Sequence, residues 1–291
     1  NFTTATDTYN VAVGNLAGTA VTTGVQNTLI GGSAGDALTV GNNNVAVGYE
    51  SLSGDTKGDR NVAIGRAALQ AQNFTTSTDS YNVAVGYGTG ESITTGVANV
   101  LIGGLTGDHL TDADFNVAIG HSALTTDTLG SRSTAIGYFA LQNQNFTTAT
   151  ESQNVAVGFA AGLAVTTGTN NTIVGGEAGK ALTTGARLTA IGYKAGQASV
   201  ATGNTQNVFV GNEAGFANTT GINNTFIGGS SGGSLTTGDG NVGIGIGSGA
   251  QGAMINVTSE DNRGIFGHAS ITNAYVEVDW TVTSDARDKM N

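Results

Sequence analysis

The chain has 291 residues, of which 47 are glycine and none is proline or cysteine, and its formal net charge is −11. Without cysteine it can form neither a disulfide nor a cysteine-based metal or nucleophile site, and without proline or a strict Gly-X-Y period it is not a collagen. The acidic balance argues against nucleic acid and anionic membrane as partners, and no apolar run approaches the roughly 18 residues that a transmembrane helix needs.

A five-residue unit recurs along most of the chain. It first appears at Asn10–Gly14, as Asn-Val-Ala-Val-Gly, and 14 copies follow one another at spacings of 17 residues, with 21 at two places and 19 at one. Repeats of this length stack into solenoids, so we expect the final glycine of each copy to form a corner. These glycines are Gly14, Gly31, Gly48, Gly65, Gly86, Gly103, Gly120, Gly137, Gly158, Gly175, Gly192, Gly211, Gly228 and Gly245.

A longer period of 72 residues lies on top of the short one. It is marked by the insertion Asn-Phe-Thr-Thr at Asn1–Thr4, Asn73–Thr76 and Asn145–Thr148. We expect the phenylalanine of each insertion to anchor a longer loop. Because the sequence opens inside this pattern, we also expect the chain to be a fragment of a longer protein.

Each unit predicts two short strands joined by two turns. Val117 and Ile119 alternate with Ala118, which is the period of a strand, and glycine ends the segment. We expect Val and Ile to fill the interior, with alanine at the crowded position between them, so that Val117→Asp or Ile119→Asp would break the stacking. The asparagine that opens 12 of the copies is expected to form a ladder by bonding the next asparagine or a turn carbonyl.

These features predict an all-β fold, namely a parallel β-roll or β-solenoid over residues 1–250. Its 14 or so rungs would form a rod roughly 65 Å long. A non-repeating β segment is expected over residues 251–283, and the start of a further domain over 284–291. Since so thin a coil has few large apolar residues, we expect three chains to share a core around one axis; a single-chain solenoid is the alternative.

The repeat resembles that of a known family. Asn-Val-Ala-Ile-Gly at Asn61–Gly65 and Asn116–Gly120, with the variant at Ser133–Gly137, is similar to the head repeat of trimeric autotransporter adhesins. That resemblance implies a left-handed parallel β-roll trimer. The longer form at Thr166–Gly179 resembles repeats in tail fibres and fibre-like surface proteins of phages and bacteria.

The C-terminus carries a second resemblance. Ala274–Thr283 reads as a strand, and Ser-Asp-Ala-Arg-Asp-Lys follows at Ser284–Lys289. This stretch resembles the junction of the tail-fibre and tailspike intramolecular chaperones, which help a trimer to fold and then cut themselves off. The resemblance implies Ser284 as nucleophile and Lys289 as base. We expect residues 284–291 to be only the start of such a domain, and a polar tail is the alternative interpretation.

Aromatic side chains supply a candidate binding stripe. Five of them directly follow a repeat glycine, and at rung spacing they would form an exposed stripe on which sugars stack. Packing in a ladder at a corner of the coil, or cover for neighbouring chains, is the alternative. The five residues are Tyr49, Tyr87, Tyr138, Phe159 and Tyr193.

Metal and cofactor chemistry finds little support. No two of the three histidines have metal-ligand spacing, and His109 lies beside Asp108, Asp112 and Asp114. We interpret this acidic stretch as a solvated loop, with a carboxylate-bound cation as the alternative. We predict no metal and no cofactor.

Three functions are open. The first is the shaft of a viral tail fibre, located on the virion, which spaces or presents a host-receptor-binding element and has itself, other tail or fibre proteins and a host surface glycan as partners. The second is a bacterial surface adhesin or extracellular filament that binds glycan or matrix. The third, a polysaccharide depolymerase, is disfavoured because the acidic residues show no repeated pairing, so the only enzymatic activity considered is self-cleavage at Ser284.

Overall fold

The computed structural model describes residues 7–250 and 258–267. Its described part is all-β with no helix, and it forms a β-solenoid of about 14 turns. The strands in chain order are β1 (Val11–Val13), β2 (Thr28–Ile30), β3 (Val45–Val47), β4 (Gly58–Asp59), β5 (Val62–Ile64), β6 (Thr78–Asp79), β7 (Val83–Val85), β8 (Val100–Ile102), β9 (Val117–Ile119), β10 (Gly130–Ser131), β11 (Thr134–Ile136), β12 (Thr150–Glu151), β13 (Val155–Val157), β14 (Thr172–Val174), β15 (Gly185–Ala186), β16 (Thr189–Ile191), β17 (Gly203–Asn204), β18 (Val208–Val210), β19 (Thr225–Ile227), β20 (Val242–Ile244) and β21 (Gly264–Phe266).

Every three-residue strand belongs to one parallel sheet of 15 strands. Equivalent residues of successive rungs are paired, so that Ala118 lies beside Leu101 on one side and Ala135 on the other. This register confirms the predicted 17-residue rungs. The fifteenth strand, β21, lies in the segment that we expected to be non-repeating, and it pairs in parallel with β20.

The repeat glycines form the corner after each strand, as expected. All 14 have φ between 115° and 141°, a region that side chains disfavour. Close approach of the backbone adds a second requirement. A Cβ added to Gly120 would lie 2.6 Å from the carbonyl oxygen of Gly137 on the next rung, so neither glycine position in this pair of rungs has room for a side chain.

The second predicted strand is largely absent. In the part of the chain that the structure describes, only three two-residue pairs form outside the main sheet, between β4 and β6, β10 and β12, and β15 and β17. Elsewhere the return path consists of turns, yet its N–H groups still reach the next rung, as where Thr94 N donates to Thr111 O at 2.9 Å. The coil therefore satisfies its backbone without a regular second sheet.

The interior is lined by the middle residue of each strand and not by its neighbours. From β2 onward the middle residue is buried, whereas Val117 and Ile119 on either side of Ala118 are partly exposed. The expectation that Val and Ile fill the coil is therefore wrong. The coil is so narrow that a methyl group and one larger side chain per rung already fill it.

On the rung of Ala84 that larger side chain is Ile93, seven residues after the repeat glycine; on rungs such as that of Ala118 it comes from the position four residues after the repeat glycine. Leu124 there fills the rung of Ala118, and both are fully buried. Where the middle residue is itself large, glycine takes this position. A Cβ on Gly215 would lie 2.5 Å from the ring of Phe209, so a large middle residue leaves no room for a side chain at the other position.

The predicted asparagine ladder is confirmed. Asn44 Nδ2 donates to Asn27 Oδ1 at 3.1 Å and to the Gly58 carbonyl at 2.9 Å, while its backbone N–H donates to the same Asn27 oxygen. Every bond joins one rung to the next or closes a corner within a rung. The ladder thus satisfies buried polar groups that a thin coil could not otherwise pair.

A buried carboxylate holds each described long loop. Asp127 accepts hydrogen bonds from Gln144 Nε2 at 2.6 Å and from the backbone N–H of Phe146 at 2.9 Å. Phe146 is only 5% exposed, and Asp55, Gln72 and Phe74 repeat the arrangement. The anchoring role predicted for these two phenylalanines is confirmed; Phe2 lies outside the described residues.

The third 72-residue period of the chain departs from this arrangement. Ser199 and Asn218 stand where the earlier periods place the aspartate and the glutamine, and both are fully buried. The Ser199 hydroxyl and both polar atoms of the Asn218 side chain have no hydrogen-bond partner. The shorter side chains in these positions leave buried polar atoms unpaired, whereas in the first two 72-residue periods the aspartate and the glutamine bond each other.

Candidate interaction surface

The outer face of the 15-stranded sheet is apolar. The first and third residues of each strand point outward, and on the first 14 rungs all of them are valine, isoleucine or threonine. From β2 onward each is partly or fully exposed. β-Branched side chains suit a pleated surface, but a strip of them is the kind of surface that a partner normally covers.

Two columns of side chains border this sheet face. The leading column is the partly or fully exposed residue just before the first residue of each repeat unit, and the trailing column is the residue directly after each repeat glycine. The leading column runs Tyr9, Gln26, Asn43, Arg60, Tyr81, Ala98, Phe115, Arg132, Gln153, Asn170, Arg187, Gln206, Asn223 and Gly240. The trailing column runs Asn15, Gly32, Tyr49, Arg66, Tyr87, Gly104, His121, Tyr138, Phe159, Gly176, Tyr193, Asn212, Gly229 and Ile246.

All five predicted aromatic residues lie in the trailing column, and each is about half exposed. Two of the five rings contact each other along the rod, and a neighbouring histidine extends the stack. Tyr138 and Phe159 stack with centroids 5.9 Å apart and planes 3° apart, and His121 stacks on Tyr138 at 5.5 Å. These rings therefore turn faces toward each other, while their edges border solvent.

Cations fill gaps in the same column. The Arg66 guanidinium lies 5.9 Å from the Tyr49 ring and 5.5 Å from the Tyr87 ring, and it donates a hydrogen bond to the Tyr87 hydroxyl at 3.2 Å. Such placement is typical of cation–π contacts. A hydrogen bond with Glu50 raises the pKa of the Tyr49 phenol above its ordinary value.

The leading column is organised in the same way, and the sequence did not reveal it. Arg60 lies over Tyr81 and forms an ion pair with Asp79. Arg132 lies over Phe115 and pairs with Glu151 at 3.1 Å. The one shared signal is position, because each of these residues directly precedes the residue at the ladder position.

The acidic stretch around His109 lies on one rung, and its carboxylates bond residues of the rungs before and after it. Asp112 accepts a hydrogen bond from Thr95 Oγ1 at 2.7 Å, and Asp114 accepts one from Val97 N at 2.7 Å, while Asp108 bonds Thr125. Within the described residues no three acidic or histidine side chains converge on a common point. Each carboxylate instead bonds a neighbouring rung.

The predicted self-cleavage residues Ser284 and Lys289 lie outside the described residues. Across residues 7–250 and 258–267, none of the secondary structure is a helix of the length and apolarity needed to cross a membrane.

Comparison with known proteins returned no match: no family model, no curated protein and no solved structure resembles this chain significantly.

Proposed function

We propose that this chain is the structural shaft of a trimeric viral tail fibre, which spaces or presents a host-receptor-binding element on the virion. The observation that carries the proposal is the outer sheet face. It is a strip on the order of 600 Å², taking roughly 65 Å of length and two side-chain columns of width. That area is at the upper end of what monomeric soluble proteins expose, where such patches are often functional.

Three copies suit the shape of this face. Each rod has one flat apolar face, and three such faces around an axis parallel to the rod enclose it completely with a closed symmetry. Stacked rungs give stiff length, which a spacer needs. The resemblance of the C-terminal segment to tail-fibre chaperone junctions supports a fibre on a virion, with other tail or fibre proteins as further partners.

Native mass measurement tests the trimer. We expect about three times the 28.9 kDa of one chain. The double variant Val117→Asp, Ile119→Asp places charges on the outer face, so it should lower the mass to that of a monomer while the β-sheet circular dichroism signal stays. Thr167→Asp, at an exposed turn, is the matched control and should remain trimeric. A wild-type monomer would reject the proposal.

Self-cleavage is a separate prediction. In a longer chain that carries the domain following residue 291, we expect a cut before residue 284, with the Ser284 hydroxyl activated by the Lys289 amine. Ser284→Ala should abolish the smaller product on a denaturing gel, whereas Ser270→Ala should not. Cleavage that persists in Ser284→Ala would reject the Ser-Lys pair.

A surface adhesin or extracellular filament that binds glycan or matrix remains the second candidate. The half-exposed aromatic residues of the trailing column favour it. Against it stands the mutual stacking of rings such as Tyr138 and Phe159, since a sugar stacks on a free ring face. A glycan array probed with the chain and with Phe159→Ala distinguishes this function from a passive shaft.

A further inference from the structure

We infer that in the assembly the leading column of one protomer packs against the trailing column of the next, rung for rung. This inference rests on the proposed trimer and names the contacts that set its register. When flat faces close around an axis parallel to the rods, the leading edge of each face meets the trailing edge of its neighbour, and equally numbered rungs lie at the same height.

The first support is a match in size between the two columns. Glycine stands in the trailing column on four rungs, and the leading residue there is Gln26, Ala98, Asn170 or Asn223, none of them aromatic or charged. Arginine or an aromatic ring stands in the leading column on six rungs. On five of these the trailing residue is also arginine, histidine or tyrosine. The match fails on the first rung, and on two further rungs the aromatic trailing residue, Tyr49 or Phe159, shares its rung with Asn43 or Gln153.

Contact within one chain does not account for this match. The two columns lie at opposite ends of each strand, six positions apart in sequence, which places them up to about 20 Å from each other. The contacts observed within a column run along the rod, as between Tyr138 and Phe159 or between Arg60 and Tyr81. A second copy is the partner that brings the two edges together.

The second support is the backbone of the leading column. Its residues adopt left-handed φ values, such as 58° at Phe115 and 63° at Arg132, which glycine takes without strain. Yet 13 of the 14 rungs carry another residue there, although glycine is abundant in the chain. Left-handed residues other than glycine also occur elsewhere in the coil, as at Leu124, where the side chain is buried in the core. In the leading column most of these side chains are exposed in the isolated chain, so a partner is the contact that would retain them.

The chemistry of the matched pairs is favourable. Arg132 would meet Tyr138, and Arg187 would meet Tyr193, as cation–π pairs. Tyr81 would meet Tyr87 as an aromatic pair. One rung pairs Arg60 with Arg66, but Asp79 balances the first charge and two tyrosine rings already flank the second.

Cysteine cross-linking tests the register directly, because the chain has no cysteine of its own. The matched pairs are Ala98→Cys with Gly104→Cys, and Asn170→Cys with Gly176→Cys. A Cβ at Gly104 or Gly176 meets its nearest neighbour at an ordinary 3.5 Å, so both glycines tolerate the change. The crossed pairs, Ala98→Cys with Gly176→Cys and Asn170→Cys with Gly104→Cys, use the same four sites four rungs out of register.

Under mild oxidation each matched pair should give a covalent trimer on a non-reducing gel, at a rate more than about tenfold above that of the crossed pairs, and single-cysteine variants should stay uncross-linked. A trimeric native mass with no difference between matched and crossed pairs would overturn the inference and leave the shaft intact. A covalent dimer as end product would overturn the three-fold arrangement. A monomeric native mass, with the columns free for a glycan or another protein, would overturn both proposals.

Discussion

Ala118→Asp is expected to unfold the middle of the rod. Ala118 is fully buried, and its in-register neighbours Leu101 and Ala135 offer no partner for a charge. Burial of an unpaired carboxylate costs several kcal/mol, so we expect a loss of about 3 kcal/mol or more in the free energy of unfolding. Denaturant titration followed by circular dichroism measures it.

Ala149→Asp is the matched control for this substitution. Ala149 is exposed, and the same change there should alter the free energy of unfolding by less than about 0.5 kcal/mol. An Ala118→Asp protein that unfolds at the wild-type denaturant concentration would show that the middle residue of the strand does not face the interior. The double variant Val117→Asp, Ile119→Asp should lower the native mass without unfolding the chain. Comparison of that variant with Ala118→Asp therefore distinguishes core positions from interface positions.

The sequence did not predict which side chains of each strand are buried. Alternation along Val117, Ala118 and Ile119 identifies two faces, but it does not say which face is buried. In a thick sandwich the larger residues would point inward. In this coil Leu124 supplies the volume from another side, and that depends on a coil geometry which residue types alone do not specify. The one available signal was size variation at the middle position, from alanine to Phe226.

Features that depend on the backbone were predictable. The repeat glycines are required at every rung by close backbone approach, and the asparagine ladder recurs on most rungs because it satisfies buried hydrogen bonds; Ser133 and Leu188 replace the asparagine on two rungs. The fifteenth strand was missed because its glycine, Gly267, follows Gly245 by 22 residues and Arg263 replaces the usual asparagine. Longer spacing hid a rung whose pairing is otherwise regular.

The candidate surface was half predictable. The trailing column was visible because aromatic residues recur there after a fixed glycine. The leading column was not, because Tyr81, Gln153 and Arg187 share no side-chain chemistry. What they share is a left-handed backbone, with φ of 51°, 51° and 60°, and only the structure reports that conformation.

Asn116→Asp is expected to make the stability of the rod depend on pH. Asn116 Oδ1 accepts a hydrogen bond from Ser133 N at 2.8 Å, and its Nδ2 donates to the Gly130 carbonyl at 2.9 Å. Aspartate keeps the acceptor but turns a bare oxygen toward the Gly130 carbonyl. At neutral pH a buried charge then faces a carbonyl dipole, and we expect a loss of about 3 kcal/mol in the free energy of unfolding.

Protonation should restore much of that loss, since the neutral acid can donate to Gly130. Burial and the missing donor raise the pKa of the introduced carboxyl in the folded state above the ordinary value of about 3.9. The folded state then holds its proton more tightly than the unfolded state does, so stability is retained below about pH 4 and is lost as pH rises through the higher folded value. Denaturant titrations of the variant and the wild type across this range measure the difference between them. Asn143→Asp, at an exposed site, should show no such slope, and equal slopes in the two variants would mean that the ladder amide is not a buried donor.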